Sequence, residues 1–208
     1  MKNLLVVNSS PNLDTSISRK LSAEFIEKWE ASFPEGVVKT RDLVKDLVPH
    51  LTQETIGAFY ALDADKTAAQ KLAVALSDTL VDEVLAADTI VIGAPMHNFS
   101  ISSGLKAYFD HIARVGRTFN YTENGPVGEL SQKKIHVIVA SGGKYSKGNP
   151  AEAMNMVEPV ITTFLNFLGV RDINFIYAEG VAMGEDVVGE TIKAAEVKIS
   201  QIITDVAA

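Results

Sequence analysis

Short runs of apolar, β-branched residues alternate along this chain with longer stretches in which apolar residues recur every three or four positions. The short runs predict strands at Leu4–Asn8, Val37–Arg41, Thr89–Ala94, Ile135–Ala140 and Asn174–Glu179. Leu4-Leu5-Val6-Val7, Thr89-Ile90-Val91-Ile92 and Ile135-His136-Val137-Ile138-Val139 are nearly continuous in apolar character. Strands covered by helices on both faces of a parallel sheet have this character. The longer stretches predict helices over Ser16–Ala31, Ala68–Ala86, Ser102–Val115, Ala151–Leu168 and Val187–Val206. In the first, Ile17, Leu21, Phe25, Ile26 and Trp29 share one stripe; in the third, Leu105, Tyr108, Phe109, Ile112 and Val115 do. Strand and helix alternating throughout predict an α/β fold, and right-handed crossovers leave few topologies for it. With no internal repeat, low-complexity tract or Pro/Ser-rich linker, residues 1–208 read as a single domain.

Two segments exceed what a crossover needs. Asp46–Lys66 carries Phe59 and Tyr60, and Gly116–Lys134 carries Phe119, Tyr121 and Asn124-Gly125-Pro126. Long loops in compact α/β domains are often lids or binding walls.

Composition then narrows the field. The chain has 208 residues, 19 Lys+Arg against 26 Asp+Glu, a formal net charge of −7 and no cysteine. Disulfides, thiolate metal sites, iron–sulfur clusters and a Cys nucleophile are therefore excluded. An acidic chain without a Lys/Arg run argues against nucleic acid as partner. No apolar stretch approaches the length of a membrane span, and Leu4-Leu5-Val6-Val7 is too short for a signal sequence, so a cytoplasmic protein is expected.

In doubly wound sheets ligands bind beyond the carboxyl ends of the strands, where strand order reverses. After the first strand comes Asn8-Ser9-Ser10-Pro11-Asn12-Leu13-Asp14-Thr15-Ser16-Ile17-Ser18, rich in hydroxyls and without glycine. It matches no Gly-rich triphosphate or dinucleotide motif. A hydroxyl-rich helix N-terminus still suits one phosphate; Thr15 or Ser16 as a simple helix cap is the competing reading. After the third strand, in Gly93-Ala94-Pro95-Met96-His97-Asn98-Phe99, the rigid Pro95 would let the N–H groups of residues 96 to 99 face a planar heterocycle; a plain turn explains it equally. After the fourth comes Ala140-Ser141-Gly142-Gly143-Lys144-Tyr145, where paired glycines admit a close ligand or simply make a turn.

Taken together, these strings are diagnostic. Ser9-Ser10 with Thr15-Ser16, Ala94-Pro95-Met96-His97-Asn98-Phe99, Leu105-Lys106-Ala107-Tyr108-Phe109-Asp110, Phe119-Asn120-Tyr121-Thr122-Glu123-Asn124-Gly125-Pro126, Lys133-Lys134 and Ser141-Gly142-Gly143 follow in this order. The series closely resembles the bacterial FMN-dependent NADH-azoreductases of the flavodoxin-like quinone reductase group, along essentially the whole chain. The resemblance implies a flavodoxin-like, doubly wound five-stranded parallel sheet of order 2-1-3-4-5 with helices on both faces. It implies FMN as cofactor, NADH or NADPH as reductant, quinone or azo acceptors, and a homodimer whose second subunit completes the site. It places the FMN phosphate on Ser10, Ser16, Ser18 and the Ile17 N–H. The isoalloxazine is bordered by Pro95, Met96, His97, Asn98 and Phe99, with Ala140, Ser141, Gly142 and Gly143 along its pyrimidine edge. Where relatives often carry Tyr and Arg, this chain has His97 and Ser141.

The residue chemistry agrees. A flavin that accepts hydride gains negative charge near N1/O2, where the Gly142 and Gly143 N–H groups and the Tyr145 hydroxyl are candidates to stabilise it. His97 reads either as a proton donor or as packing. Phe119, Tyr121 and Phe164 are candidates to stack on an acceptor, with core packing the competing reading for Phe164. His50, His111 and His136 lack metal-ligand spacing, so no metal is expected. The rival functional reading is a flavodoxin-type one-electron carrier, and a bland one is a flavin-free scaffold. A carrier would accumulate one-electron-reduced flavin on titration, and a scaffold would purify colourless.

Overall fold

The structure is a computed structural model that describes residues 2–207. Its elements are β1 (Leu4–Asn8), α1 (Ile17–Ser32), β2 (Val38–Asp42), α2 (Gln53–Tyr60), α3 (Ala68–Ala86), β3 (Thr89–Pro95), α4 (Ser103–Ile112), β4 (Phe119–Thr122), β5 (Gly125–Gly128), β6 (Lys134–Ser141), α5 (Val157–Phe167), β7 (Asp172–Glu179) and α6 (Glu185–Ala207). Five strands form one parallel sheet in the order β2-β1-β3-β6-β7, while β4 and β5 make a separate antiparallel pair. Among the sheet strands alone this is the order 2-1-3-4-5. It reverses beside β1, from which the chain runs outward to β2 and then crosses back to β3.

Side chains on a strand alternate between faces, so continuous apolar runs feed two cores. Leu5, Val7, Ile90, Ile92, Val137 and Val139 join the cluster beneath α3, α4 and α5. Leu4, Val6, Val91 and Ile138 join Leu21, Phe25, Trp29 and Ile199 beneath α1 and α6. The starts of α1 to α4 are capped by side chains: Ser16 accepts from the Arg19 N–H, Thr52 from Thr55, Ser102 from Leu105, and Thr67 with Gln70 forms a reciprocal capping box on α3.

Three departures from the sequence expectation have local causes. The predicted third helix stops at Ile112 because the Thr118 hydroxyl takes the Ile112 carbonyl at 2.6 Å and accepts the Arg114 N–H at 2.9 Å. The predicted helix over Ala151–Leu168 is broken before α5, where the Asn155 side chain accepts from the Val157 N–H and the Met156 N–H donates to the Phe99 carbonyl. Asp46–Lys66 is no open lid, for it contains α2. There Phe59 lies under the Arg114 guanidinium, 4.4 Å from ring centre, and edge-on to His111.

The Gly116–Lys134 segment folds into the β4–β5 hairpin, which lies against the end of α5. Gly128 is obligatory there, since a Cβ would fall 1.9 Å from the Leu168 backbone.

Candidate functional site

The carboxyl ends of β1, β3, β6 and β7 converge on one rim. Behind β1, the Ser9 hydroxyl donates to the Gly93 carbonyl at 2.7 Å, joining the first loop to β3. The Asn12 side chain accepts from the Asp14 and Thr15 N–H groups and donates to the Thr15 hydroxyl, shaping the approach to α1. Ser16 caps α1, its first turn holds no acidic residue, and the Ile17 and Ser18 N–H groups lie in that first turn, where a helix supplies no acceptor. Ser18 has no exposed surface, and its hydroxyl sits 3.1 Å from that of Ser16. Ser16 is therefore the outward hydroxyl and Ser18 stands behind it. Ser10 is also buried, with only a 3.5 Å contact from its hydroxyl to the Asn12 carbonyl.

The loop is gripped from behind. Arg19 donates through Nε and Nη2 to the Ser10 carbonyl at 3.0 and 2.7 Å, and in bidentate fashion to Asp42 at 2.7 and 2.8 Å. That guanidinium, helped by the Val44 and Lys45 N–H groups, holds the Asp42 carboxyl down at about 2 against the cost of burial.

After β3, His97 and Ser100 exchange backbone hydrogen bonds at 2.8 and 3.0 Å around Asn98 (φ 47°) and Phe99 (φ 70°). Two consecutive left-handed residues make a type I′ turn, a conformation that a bulky Phe adopts only against steric cost. This corrects part of the expectation for residues 96 to 99. The Met96 N–H extends the sheet ladder to the Ala140 carbonyl at 2.8 Å and the His97 N–H is spent on Ser100. Only the Asn98 and Phe99 N–H groups meet no acceptor among the described residues. Pro95 ends the strand opposite Ala140, Met96 packs on the core beneath α3, α4 and α5, and His97 is exposed.

After β6 the backbone is turned in a single sense. The carbonyls of Ser141, Gly142 and Gly143 accept from the N–H groups of Val181, Ala182 and Gly180 at 3.1, 3.1 and 3.0 Å. A trans peptide points its N–H opposite to its carbonyl, so the N–H groups of Gly142, Gly143 and Lys144 face away from that connection. Among the described residues they meet no acceptor. Tyr145 leans back over Gly143, where a Cβ would lie 3.1 Å from its ring and hydroxyl. It also meets Phe99 edge-on, 6.1 Å between centroids, so the second and third loops touch.

The three predicted stacking residues separate. Phe119 belongs to the core, 5% exposed, against Phe167. The hairpin folds it inward, against the expectation that it stacks on an acceptor, and Tyr121, which meets it edge-on, is 65% exposed. Phe164 stacks on Phe109 at 4.2 Å while still lining a half-open apolar groove of about 570 Å³ with Lys106, Met156, Val160 and Phe167.

The buried histidines, His111 and His136, lie elsewhere. His111 bonds the Pro49 carbonyl, and His136 is enclosed against Phe25. No group of three His, Cys, Asp or Glu among the described residues could hold a metal, and no helix among them is long and apolar enough to cross a membrane.

Sequence reasoning missed Arg19, Asp42 and Glu179. Arg19 had a readable signal, a cation in the first turn of a helix suited to an anion. Asp42 and Glu179 had none, because each acts on a segment distant in sequence.

A protein-family profile described as flavodoxin-like fold matches residues 2–203. The chain is 46% identical over 203 residues to the FMN-dependent NADH:quinone oxidoreductase of Herminiimonas arsenicoxydans, covering 98% of this chain and 99% of that protein. It is 42% identical to the Agrobacterium fabrum protein of the same name, covering 97% and 98%. Among solved structures, an FMN-dependent NADH-azoreductase from Bacillus anthracis in complex with FMN superposes with a TM-score of 0.89 at 27% identity over the full length of both chains. A second azoreductase from that species gives 0.90 at 29% identity, covering 99% of this chain and all of that one.

Proposed function

This chain belongs to the flavodoxin-like fold family and, within it, to the FMN-dependent NADH:quinone oxidoreductases; from that premise we propose that it is an FMN-dependent, NADH-consuming reductase of quinones and azo compounds. The donor set fits FMN. One end of the rim offers a capped helix N-terminus for a single phosphate. The other offers two separate sets of unaccepted N–H groups for a ring edge bearing carbonyl oxygens and nitrogens. The observation that carries the reading is the outward row of N–H groups at Gly142, Gly143 and Lys144, which meets no acceptor among the described residues.

FMN, when bound, supplies the two-electron hydride chemistry between NADH and acceptor. The Ser16 hydroxyl and the Ile17 and Ser18 N–H groups hold its phosphate, with Ser10 and Ser18 bracing that loop. The Asn98 and Phe99 N–H groups orient the ring, with Pro95, Met96, His97, Ala140 and Ser141 forming its border. Gly142 and Gly143 would donate to the pyrimidine edge of the ring, and the Tyr145 hydroxyl beside Gly143 would add a donor there. Tyr121 and Phe164 flank the acceptor side. Reductant and acceptor use one pocket in turn, which makes the kinetics ping-pong.

The groove along α5 is where a second copy docks, completing a homodimeric site. Its apolar lining joins exposed Phe99, Met154 and Met156 nearby, and contiguous apolar surface of this kind marks an interface. The whole chain acts as one FMN-binding unit, in the cytoplasm where NADH is supplied.

Initial-rate kinetics on FMN-loaded protein, with NADH and NADPH against panels of quinones and azo dyes, test the proposal. Parallel double-reciprocal lines are expected. Protein that takes up no flavin, or releases FAD, overturns it.

A further inference from the structure

Glu179 closes β7 at the rim and is 7% exposed, yet none of the ligand-facing chemistry above uses it. Its Oε1 accepts the Tyr145 N–H at 2.6 Å and the Ser146 N–H at 2.7 Å, and its Oε2 accepts the Ser146 hydroxyl at 2.5 Å. Its own N–H donates to the Thr191 hydroxyl on α6 at 3.0 Å, fixing the residue from the other side. One carboxylate thus takes three donors from two consecutive residues of the loop after β6.

We propose that Glu179 is a positioning residue for the flavin: it locks the loop after β6 so that the N–H groups of Gly142, Gly143 and Lys144 point at the pyrimidine edge of FMN. This rests on the FMN reading above.

The loop needs such a lock. Gly142-Gly143 has no side chains to pack, and glycine loses the most backbone freedom on ordering. Within the loop, the Ser141 hydroxyl donates to the Gly143 carbonyl at 2.9 Å, and Asn149 Nδ2 donates to the Ser146 carbonyl and hydroxyl at 2.9 and 3.0 Å. Backbone bonds from residues 180–182 hold its first half, and Glu179 holds its second. The backbone bonds set the three peptides that carry the Gly142, Gly143 and Lys144 N–H groups, and Glu179 fixes the next two, at Tyr145 and Ser146, so the far end of the row is anchored as well. Glu179 also sets Tyr145, whose N–H it accepts and whose ring covers Gly143. Hydrogen bonds to charged groups contribute more than neutral ones, and an emptied partner leaves its donors unsatisfied.

The test is flavin binding to the full-length apo chain, comparing FMN with riboflavin, which has the ring and no phosphate. Glu179→Gln keeps the side-chain volume and one oxygen for the two N–H groups, but it replaces their charge-assisted bonds with neutral ones and loses the second oxygen, which accepts the Ser146 hydroxyl. It is expected to weaken FMN and riboflavin by the same factor, about tenfold or about 1.4 kcal/mol. Ser16→Ala is expected to weaken FMN alone.

NMR of FMN labelled with ¹³C at C2 gives a signature that a merely structural role would not move. The C2 resonance shifts when donors to O2 are lost, so Glu179→Gln moves it and Ser16→Ala leaves it. Ser146→Ala, which removes one of the three donors, shows the same direction with a smaller size. If the wild type takes up no flavin, the FMN reading itself falls. If it binds FMN and Glu179→Gln matches it in both affinities and in C2 shift, the positioning role falls while that reading stands. A Glu179→Gln loss confined to FMN also overturns the role.

Discussion

The two faces of the sheet are built differently. Under α1 and α6 the core is closed: Leu21, Phe25, Trp29 and Ile199 have no exposed surface, and even a histidine, His136, is enclosed there. Under α3, α4 and α5 the core is larger but unfinished. Phe164 lines an open groove, Met156 is 45% exposed, and Tyr121 stands out from the hairpin. The closed face is complete within the single chain, whereas the open face leaves apolar side chains uncovered. Substitutions on the two faces should therefore separate folding from assembly and turnover.

Trp29→Ala is the most severe expected change. It empties a closed site between Phe25 and Phe33, and Phe/Trp→Ala in a core costs about 3–5 kcal/mol. Denaturant melts should show that loss at any protein concentration; a loss that vanishes on concentrating the protein would assign Trp29 to an interface.

His136 makes the closed face acid-sensitive. Burial drives its pKa from 6.5 down to about 4, outweighing the attraction of Asp172, and Lys134 and Lys198 add to the shift. Its ring nitrogens have no partner among the described residues. The unfolded chain takes up this proton first, so stability is full above about pH 6.5 and falls by about 3 kcal/mol on the way to pH 4. His136→Leu should flatten that part of the profile, read as the difference between wild-type and variant melts at each pH. Parallel profiles would show that the imidazole does not control acid stability.

Thr163→Glu probes the open face. Thr163 is exposed on α5 and lines the groove, so stability should change within about 0.5 kcal/mol. A charge buried without a partner between two copies should weaken association by about a hundredfold, or about 2.7 kcal/mol. Sedimentation would show the mass falling to a single 22.4 kDa chain. A variant that associates as the wild type does would place the interface elsewhere.

Tyr121→Ala is the mildest. Its ring is mostly solvent-exposed, so the melt should barely move. The acceptor KM should rise about 2- to 13-fold from lost stacking, with the NADH half-reaction nearly unchanged. Stopped-flow traces of the two halves check this, and equal losses in both would remove Tyr121 from the acceptor side.

The five sheet strands and the bounds of α1, α3 and α6 were legible in the chain, and the family resemblance implied the strand order. β1 runs over Leu4–Asn8 and α3 over Ala68–Ala86, as their periodicity predicts, because both carry a full apolar pattern. α2 was not legible: its eight residues include Gly57, and only Thr55 and Ala58 are buried, so it has no stripe to read. The β4–β5 hairpin was missed for the opposite reason. Its strands are four residues each, and it is fixed by contact with α5 at Gly128 more than by its own pattern. The three rim loops were recognisable by residue type, since serines, a proline and paired glycines fell after successive strands.

Residue type did not reveal which atoms of those loops are free. An N–H group is available to a ligand only when nothing in the fold accepts it, and that depends on partners far away in sequence. Met96 is spent on Ala140, while Gly142 is freed because its preceding carbonyl is taken by Val181. The sequence by itself determined the alternation of strand and helix and the chemistry of the rim, because hydrophobic periodicity and local residue choice act over a few positions; the sheet order came from the family resemblance. Only the tertiary structure decided that Phe119 turns inward, that Arg19 reaches Asp42 and that Glu179 grips Tyr145 and Ser146. Those outcomes are set by hydrogen bonds and packing between segments tens of residues apart, whose meeting no local pattern encodes.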